Sequence, residues 1–497
     1  MGIPYTHIDK LFIDGAWVAS SERAREPVIN PATEEVIAEA PIGGRAEAEA
    51  AIAAARHSFD HGPWSQMSMQ QRAEVMRRFR DALVENGDRI KALLTAEAGA
   101  TFGIMNGPQF GGAIRALDFA IEQGLRMKPE MTPVEIRPNP YDPRGNDMIG
   151  AASVEHEPFG VVVGITAYNY PFFLSLGKIA PALMAGNSIV LKPSPFTPYS
   201  TLLFGEIAQS VGIPKGVLNI VTGGPEVGSM LTTDPRVDLI SFTGSDAVGA
   251  AIMGQAAPTL KKLHLELGGK SALIVRADAD VQASAMLALM CFTMHSGQGC
   301  ALLTRYIVHN SVRAAFVATI KGALAHWKQG DPSDPSVLMG PLIRAAARAK
   351  TERYVQIGLD SGAKLIVGGK RPAHLQRGYF FEPTLFDDVD NRSALAQDEI
   401  FGPVGAVIGY DTDEQAIALA NDSPLGLYGA VNSADKAQAF RMARRLRTGN
   451  VWINGGLNDL TVEVPFGGYK RSGIGREFGS RWLAEYMQEK AIVYPIG

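Results

Sequence analysis

The hydrophobic pattern changes period along the chain, and the changes divide it into regions. Residues 44–58 and 69–97 set apolar side chains at intervals of three and four with charges between them, which predicts amphipathic helices. The first stretch is also Ala-rich, and alanine has the strongest helix propensity. From 128 to 147 the periodicity dissolves into a polar run containing Pro129, Pro133, Pro138, Pro140 and Pro143. No continuous helix accommodates that spacing of prolines. The run reads as a linker or an edge hairpin that leaves the main body. Beyond it, β-rich runs at 161–167, 188–192, 217–222 and 239–243 alternate with helix-like segments at 174–185, 199–211 and 226–232. This alternation predicts a parallel α/β sheet with right-handed crossovers. Ligands of such sheets lie beyond the carboxyl ends of the strands. Polar and glycine-rich segments fall at those ends, at 166–169, 192–194, 223–228 and 243–249. A second α/β region begins at 271–275 and runs through 451–454. The segment 491–494 reads as a last strand without a local partner, expected to pair elsewhere, another subunit included.

Composition narrows the class. A chain of 497 residues exceeds one ordinary core, so two or three domains are expected. A hydrophobic content of 46% with 20% charged residues describes a soluble globular protein. The formal net charge of −4 gives no electrostatic case for nucleic acid or an anionic membrane as partner. No run of about 18 uncharged apolar residues predicts a membrane span, and the N-terminus lacks a secretory apolar stretch. The only two cysteines, Cys291 and Cys300, cannot build a disulfide framework, and their spacing fits no zinc or redox motif. No metal is expected, and a reducing, cytoplasmic location is.

The candidate chemistry centres on Cys300, at the end of Gly297-Gln298-Gly299-Cys300. The glycines let the backbone turn tightly and bring the sulfur close to a ligand. Taken alone, Cys300 reads first as a small buried residue, and the rest of the chain reverses that reading. Upstream, Glu266 stands between apolar neighbours in Leu265-Glu266-Leu267-Gly268-Gly269-Lys270, and a desolvated carboxylate beside a thiol makes a nucleophile-and-base pair for acyl transfer. Asn169, in Ala167-Tyr168-Asn169-Tyr170-Pro171, is either a turn residue or a side-chain donor to a developing oxyanion. The loops containing Gly224 and Gly228, and Gly244 and Ser245, each follow a strand. Each is either an ordinary turn into a helix or a phosphate-binding helix start. Lys192 at a strand end is either a solvated lysine or a ligand of ribose or phosphate.

Together these segments resemble the aldehyde dehydrogenase superfamily over nearly the whole chain. The resemblance rests on 265–270, on 297–300, on the loop 242–249, on Glu399-Ile-Phe-Gly-Pro-Val404 and on 465–477. It implies an α/β fold. A Rossmann-like parallel-sheet cofactor domain would span 8–127 and 150–265, and an α/β catalytic domain 266–470. A small β oligomerisation arm would be formed by 128–149 and 478–497, in a homodimer or homotetramer.

The resemblance further implies NAD(P)-dependent oxidation of an aldehyde to a carboxylic acid. Cys300 would be the nucleophile, Glu266 the general base for hydrolysis of the thioester, Asn169 an oxyanion donor and Lys178 a proton relay. Cofactor contacts would come from Ile165, Thr166, Tyr168, Lys192, Ser194, Gly224, Gly228, Phe242, Thr243, Gly244, Ser245, Val248, Leu267, Glu399 and Phe401. Glu399 would hold the nicotinamide ribose, with Phe401 packed nearby. Tyr170, Leu174, Gly177, Met294, Leu460 and Phe466 would line a substrate tunnel. These residues are mostly apolar, so aromatic, terpenoid or medium-chain aldehydes are expected.

Three positions depart from the family's usual residues. Tyr168 stands where Trp is common. Pro195 stands where a Glu would bind the adenosine ribose, which keeps NAD as the expected cofactor and leaves NADP open. Gly299 opens space beside the sulfur. Two other functions compete, a CoA-acylating dehydrogenase and a non-catalytic aldehyde-binding protein. The presence of Glu266, with Cys300 and Asn169, argues against both.

Overall fold

The four strands that the alternating pattern implies, with a fifth that it did not, Lys262–Glu266, assemble in parallel at the centre of an eight-stranded sheet. Their spatial order is Leu218–Ile220, Ser188–Lys192, Val161–Ile165, Leu239–Thr243 and Lys262–Glu266. The structure is a computed structural model, and it describes residues 3–455 and 461–495. Val161–Ile165, Ser188–Lys192 and Leu239–Thr243 are buried at every position, as expected of strands covered on both faces. Lys10–Ile13 and Ala16–Ala19 close one edge as an antiparallel pair, and Gly473–Ile474 closes the other against Lys262–Glu266. That last pairing brings the C-terminal segment to Glu266.

A seven-stranded sheet forms the second α/β layer, in the order Lys364–Val367, Thr384–Asp387, Val404–Tyr410, Leu303–His309, Ser271–Val275, Tyr428–Asn432 and Asn450–Ile453. All its pairings are parallel except the first. Only residues 267–270 separate the end of Lys262–Glu266 from the start of Ser271–Val275. Glu266 therefore stands at the seam of the two sheets.

The helical patterning of 69–97 resolves into two helices, Met69–Glu85 and Gly87–Ala98. The first is opened by a capping box between Ser68 and Gln71, and the break falls at Asn86. The glycines and the proline of 103–112 conceal a further helical stretch. It runs as a wide-turn helix over Met105–Gly112 and continues as Ala113–Arg126, whose apolar face packs against the helix Pro171–Ala185.

The Pro-rich run becomes strands Glu130–Met131 and Glu135–Pro138, both paired with the long strand Asp147–Pro158. The terminal strand finds its partner elsewhere in its own chain. Met487–Pro495 lies antiparallel to Asp147–Pro158 of the same chain, in register from Met487 opposite Pro158 to Pro495 opposite Gly150. The partner was not legible locally because it lies more than 300 residues upstream and its Gly and Ala residues carry little strand signal.

Candidate functional site

Register places the site. Ile165 is opposite Lys192, Phe242 is opposite Ile165, and Thr243 is opposite Glu266. Five predicted site residues thus lie in two successive levels at the carboxyl ends of the parallel strands, where the alternating fold leaves a crevice. Thr166 follows Ile165 and donates its backbone N–H to Lys192 O at 3.1 Å. Its hydroxyl and that of Thr243 are buried without a hydrogen-bond partner. Buried hydroxyls are ordinarily paired, so both point to a polar group that completes them.

Lys192 is not a surface lysine. Its Nζ donates to Gly223 O at 2.6 Å and Pro193 O at 3.2 Å, and burial lowers its pKa to about 8. A Cβ on Gly228 would meet Lys192 Cε at 3.6 Å, so this loop closes over the lysine stem. Gly224 caps the helix Pro225–Thr233, and Ser245 caps Asp246–Ala256 by accepting from the Val248 N–H at 3.4 Å. Both helices present free N–H groups to the crevice. Val248, one turn in, is 47% exposed although apolar. Leu267 is buried beneath this helix against Gly249. The Ser194 hydroxyl accepts from the Phe196 N–H at 3.3 Å.

On the facing sheet, Glu399 Oε1 accepts the backbone N–H of Gly269 at 2.9 Å, and Lys350 Nζ donates to the Glu399 carbonyl at 2.8 Å. Gly268 is required for this approach, because a Cβ there would lie 2.6 Å from Glu399 Oε2. Burial raises the Glu399 carboxyl pKa against the lowering effect of that N–H. Phe401 adopts a left-handed backbone, φ 58°, and meets the Tyr168 ring edge to face at 6.0 Å. Gly269, Lys270, Gly297, Gly299, Glu399 and Phe401 border one cleft.

Cys300 is half-buried on the loop that follows the helix Val281–Thr293. His295, Ser296 and Gly297 take successive positive φ values of 47°, 56° and 74°, a left-handed turn that swings the chain back toward the crevice. Gln298 locks this turn from within. Its Nε2 donates to His295 O at 3.0 Å, and its Oε1 accepts the Ile343 N–H at 2.9 Å. Asn169 is buried, and its Nδ2 donates to Gln298 O at 3.0 Å. An amide NH₂ carries two hydrogens, so one remains for a ligand beside Cys300. Gln109, in the wide-turn helix, donates to the Asn169 carbonyl at 3.1 Å and fixes its backbone. Burial, then the Glu399 and Glu266 carboxylates, push the Cys300 thiol pKa upward. A base is therefore needed to expose the thiolate.

Glu266 is fully enclosed, with neither carboxylate oxygen hydrogen-bonded. Burial raises its pKa well above the ordinary range, and Glu477 raises it further, against Lys178 and Arg476. Gly467 opposite it is obligatory, since a Cβ would come within 2.8 Å of Oε1. Lys178 is also buried, not a surface charge. Its Nζ lies 3.0 Å from Glu477 Oε1 and 3.1 Å from Ser241 Oγ.

Among the tunnel positions, Tyr170, Met294 and Phe466 pack on the same apolar cluster as Phe173 and Val462, and Leu174 is buried. Nothing lies within 4 Å of a Cβ built on Gly177. Leu460 falls outside the described residues. Several neighbours escaped the sequence reading: Gln109, His264, His295, Tyr428, Trp452 and Glu477. Gln109, Tyr428 and Trp452 are distant in sequence from the motifs they serve, whereas His264 and His295 adjoin the 265–270 and 297–300 motifs and Glu477 closes the 465–477 motif.

The chain is similar to known proteins over nearly its whole length. The profile of the Aldehyde dehydrogenase family matches residues 17–492. A betaine aldehyde dehydrogenase of Bacillus subtilis (strain 168) is 38% identical over 492 residues, covering 97% of this chain and 96% of its own. A geranial dehydrogenase of Castellaniella defragrans is 37% identical over 497 residues, covering 100% of both. Among solved structures, an aldehyde dehydrogenase C mutant of Pseudomonas syringae in complex with NAD+ and octanal superposes with a TM-score of 0.91. It shares 35% identity and covers 98% of this chain and 96% of its own.

Proposed function

This chain belongs to the aldehyde dehydrogenase family, and we propose that it uses NAD to oxidise apolar aldehydes to carboxylic acids through a thioester on Cys300. The observation that carries the reading is the convergence of Cys300, the free amide hydrogen of Asn169 and the enclosed carboxylate of Glu266 on one crevice. The crevice fits a dinucleotide. The uncompleted Thr166 and Thr243 hydroxyls, the two capped helix starts, Lys192 and the bare apolar Val248 would hold its phosphates and adenosine. Glu399 and Phe401 would hold the nicotinamide end. The Pseudomonas syringae relative is in complex with NAD+, which favours NAD. Pro195 offers no carboxylate to repel a 2′-phosphate.

The residues divide the work as follows. The Cys300 thiolate forms a bond to the aldehyde carbon, and the carbonyl oxygen becomes an oxyanion met by Asn169 Nδ2–H and the Cys300 backbone N–H. Bound NAD accepts the hydride from that carbon. The Glu266 carboxylate then takes a proton from a water whose oxygen attacks the thioester, the C–S bond breaks, and sulfur leaves as thiolate. Lys178, ion-paired to Glu477, holds positive charge near this carboxylate and would relay its proton.

Tyr170, Leu174, Gly177, Met294 and Phe466 include no cation to hold a carboxylate or phosphate on the substrate, which supports aromatic, terpenoid or medium-chain aldehydes. The geranial and octanal of the two relatives are of this kind. The test is NADH formation by purified protein with benzaldehyde, octanal and succinic semialdehyde, each with NAD or NADP. NAD-dependent turnover of the first two, absent in Cys300→Ala, is expected. Better turnover of succinic semialdehyde would overturn the substrate assignment, and undiminished turnover by Cys300→Ala would overturn the mechanism.

A further inference from the structure

Beneath Glu266 a buried polar chain leads from Lys178, and the steps above use none of its other members, Ser241, His264 and Tyr486. Ser241 and His264 sit directly opposite each other on adjacent parallel strands, in positions otherwise filled by Val, Ile and Leu, and both are essentially inaccessible. Polar side chains in such a layer are costly unless their hydrogen bonds are made. Lys178 Nζ and Tyr486 Oη both donate to Ser241 Oγ, at 3.1 and 3.0 Å. With both acceptor sites filled, the Ser241 hydroxyl hydrogen has one remaining partner, His264 Nδ1 at 3.4 Å. A ring that accepts at Nδ1 carries its hydrogen on Nε2. Nε2 faces Glu266 Oε1 at 3.6 Å.

That gap exceeds a hydrogen bond, yet His264 Nε2 and both Glu266 oxygens are buried and without other partners. One orphan is a donor and the other an acceptor, and a small rotation of the Glu266 side chain joins them. The Cδ2 edge of the ring, next to Nε2, abuts Gly475, where any Cβ would strike Cδ2 at 2.4 Å.

Resting on the function proposed above, we infer that His264 is a positioning residue for the general base: its Nε2–H docks the Glu266 carboxylate in the orientation from which it activates the hydrolytic water. The His264 N–H bond is not broken in this role. The chain from Lys178 through Ser241 orients the imidazole, so the lysine charge bears on the carboxylate through oriented dipoles. Burial, then Lys178, Lys262 and Arg476, keep the imidazole pKa well below its usual value, which leaves the ring neutral and able to present one donor and one acceptor. Glu266 and Glu477 are the acids that face this cluster, and Tyr486 meets the ring edge at 6.4 Å.

His264→Leu removes the donor at similar volume, and His264→Gln keeps an N–H near the place of Nε2–H. Stopped-flow and steady-state NADH formation across pH distinguish the roles. His264→Leu should keep a burst near one NADH per active site and an unchanged KM. Its steady kcat should fall by about tenfold, the worth of one hydrogen bond to a charged group. The acid limb of kcat should move to higher pH, because a carboxylate that loses a donor is more easily protonated. His264→Gln should recover both. A kcat–pH profile of His264→Leu that matches wild type, or a His264→Gln no better than His264→Leu, overturns the inference. If His264→Leu does not fold, Ser241→Ala, which frees Nδ1, should show the same shift in smaller measure, and a wild-type profile there overturns it equally. Absence of NADH from the wild-type protein itself would overturn the parent reading instead.

Discussion

At the scale of single residues, the site is governed by which charges are left without partners. Glu266 has two free oxygens in an enclosed space, and Cys300 is pushed toward the thiol by burial and by the Glu399 and Glu266 carboxylates. Both groups act in their deprotonated forms, and both pKa values are raised. The active forms therefore emerge only as pH climbs, and activity should be lost as pH falls while ordinary surface carboxylates are still ionised. Measured kcat against pH should rise through an acid limb above about 4.3, the model-peptide glutamate value. A flat profile from pH 5 to 8 would contradict the burial argument. In Glu266→Gln the proposed hydrolytic base is gone, and one carboxylate that raises the Cys300 pKa goes with it. Steady turnover should drop by about 10²–10⁴, while the NADH burst survives and its own acid limb shifts to lower pH. A lost burst would mean that Glu266 is also needed to expose the thiolate. Cys300, Glu266 and Asn169 were legible because each is framed by glycines or sits at a strand end, so local spacing betrays it. Ser241 and His264 were not, because they lie inside apolar strand runs that read as core and their polar partners Lys178 and Tyr486 come from elsewhere in the chain.

Among elements, the helix Pro171–Ala185 shows why period alone under-reads a site. It is buried on nearly every side, so no polar face marks its orientation, yet it delivers Tyr170, Leu174, Gly177 and Lys178 to two different environments. Lys178 turns into the sheet and packs over Gly164, where a Cβ would lie 3.5 Å from Lys178 Cβ, an ordinary contact. Gly177, its neighbour, borders open space. A glycine within a helix costs roughly 1 kcal/mol relative to alanine, and here the space it leaves is what a bulky aldehyde would enter. Gly177→Leu should therefore preserve or slightly raise thermal stability. It should raise KM for benzaldehyde and octanal by about tenfold or more, the worth of one or two misplaced methylene groups, and leave acetaldehyde little changed. Equal effects on large and small aldehydes would place the tunnel elsewhere. The parallel strands were legible from their continuous β-branched runs. The wide-turn helix Met105–Gly112 was not, because Gly107, Pro108, Gly111 and Gly112 read as loop although tertiary packing holds them helical.

For the whole molecule, the four-stranded sheet poses a problem of edges. Met487–Pro495 pairs along one side with Asp147–Pro158, and among the described residues no strand pairs with its other side. Long exposed edge strands invite pairing with another chain unless they are charged or covered. This one carries Glu489 and Lys490 in its first half but Ile492, Val493 and Tyr494 in its second, with Val493 77% exposed. Met131 and Ile136, on the paired strands, are exposed as well. An apolar surface built from the 130–138 strands and the C-terminal strand has no work to do in a monomer. It fits the reading of 128–149 and 478–497 as an oligomerisation arm, with the difference that subunits would meet edge to edge while each keeps its own terminal strand. Light scattering should give a multiple of the 53.2 kDa chain mass. Val493→Glu combined with Ile136→Glu should shift the population toward monomer with an unchanged far-ultraviolet circular dichroism spectrum, because both side chains point to solvent within one chain. A monomeric wild type would show that the edge is protected by its charges alone. A double variant that keeps the wild-type mass would move the subunit contact to another face.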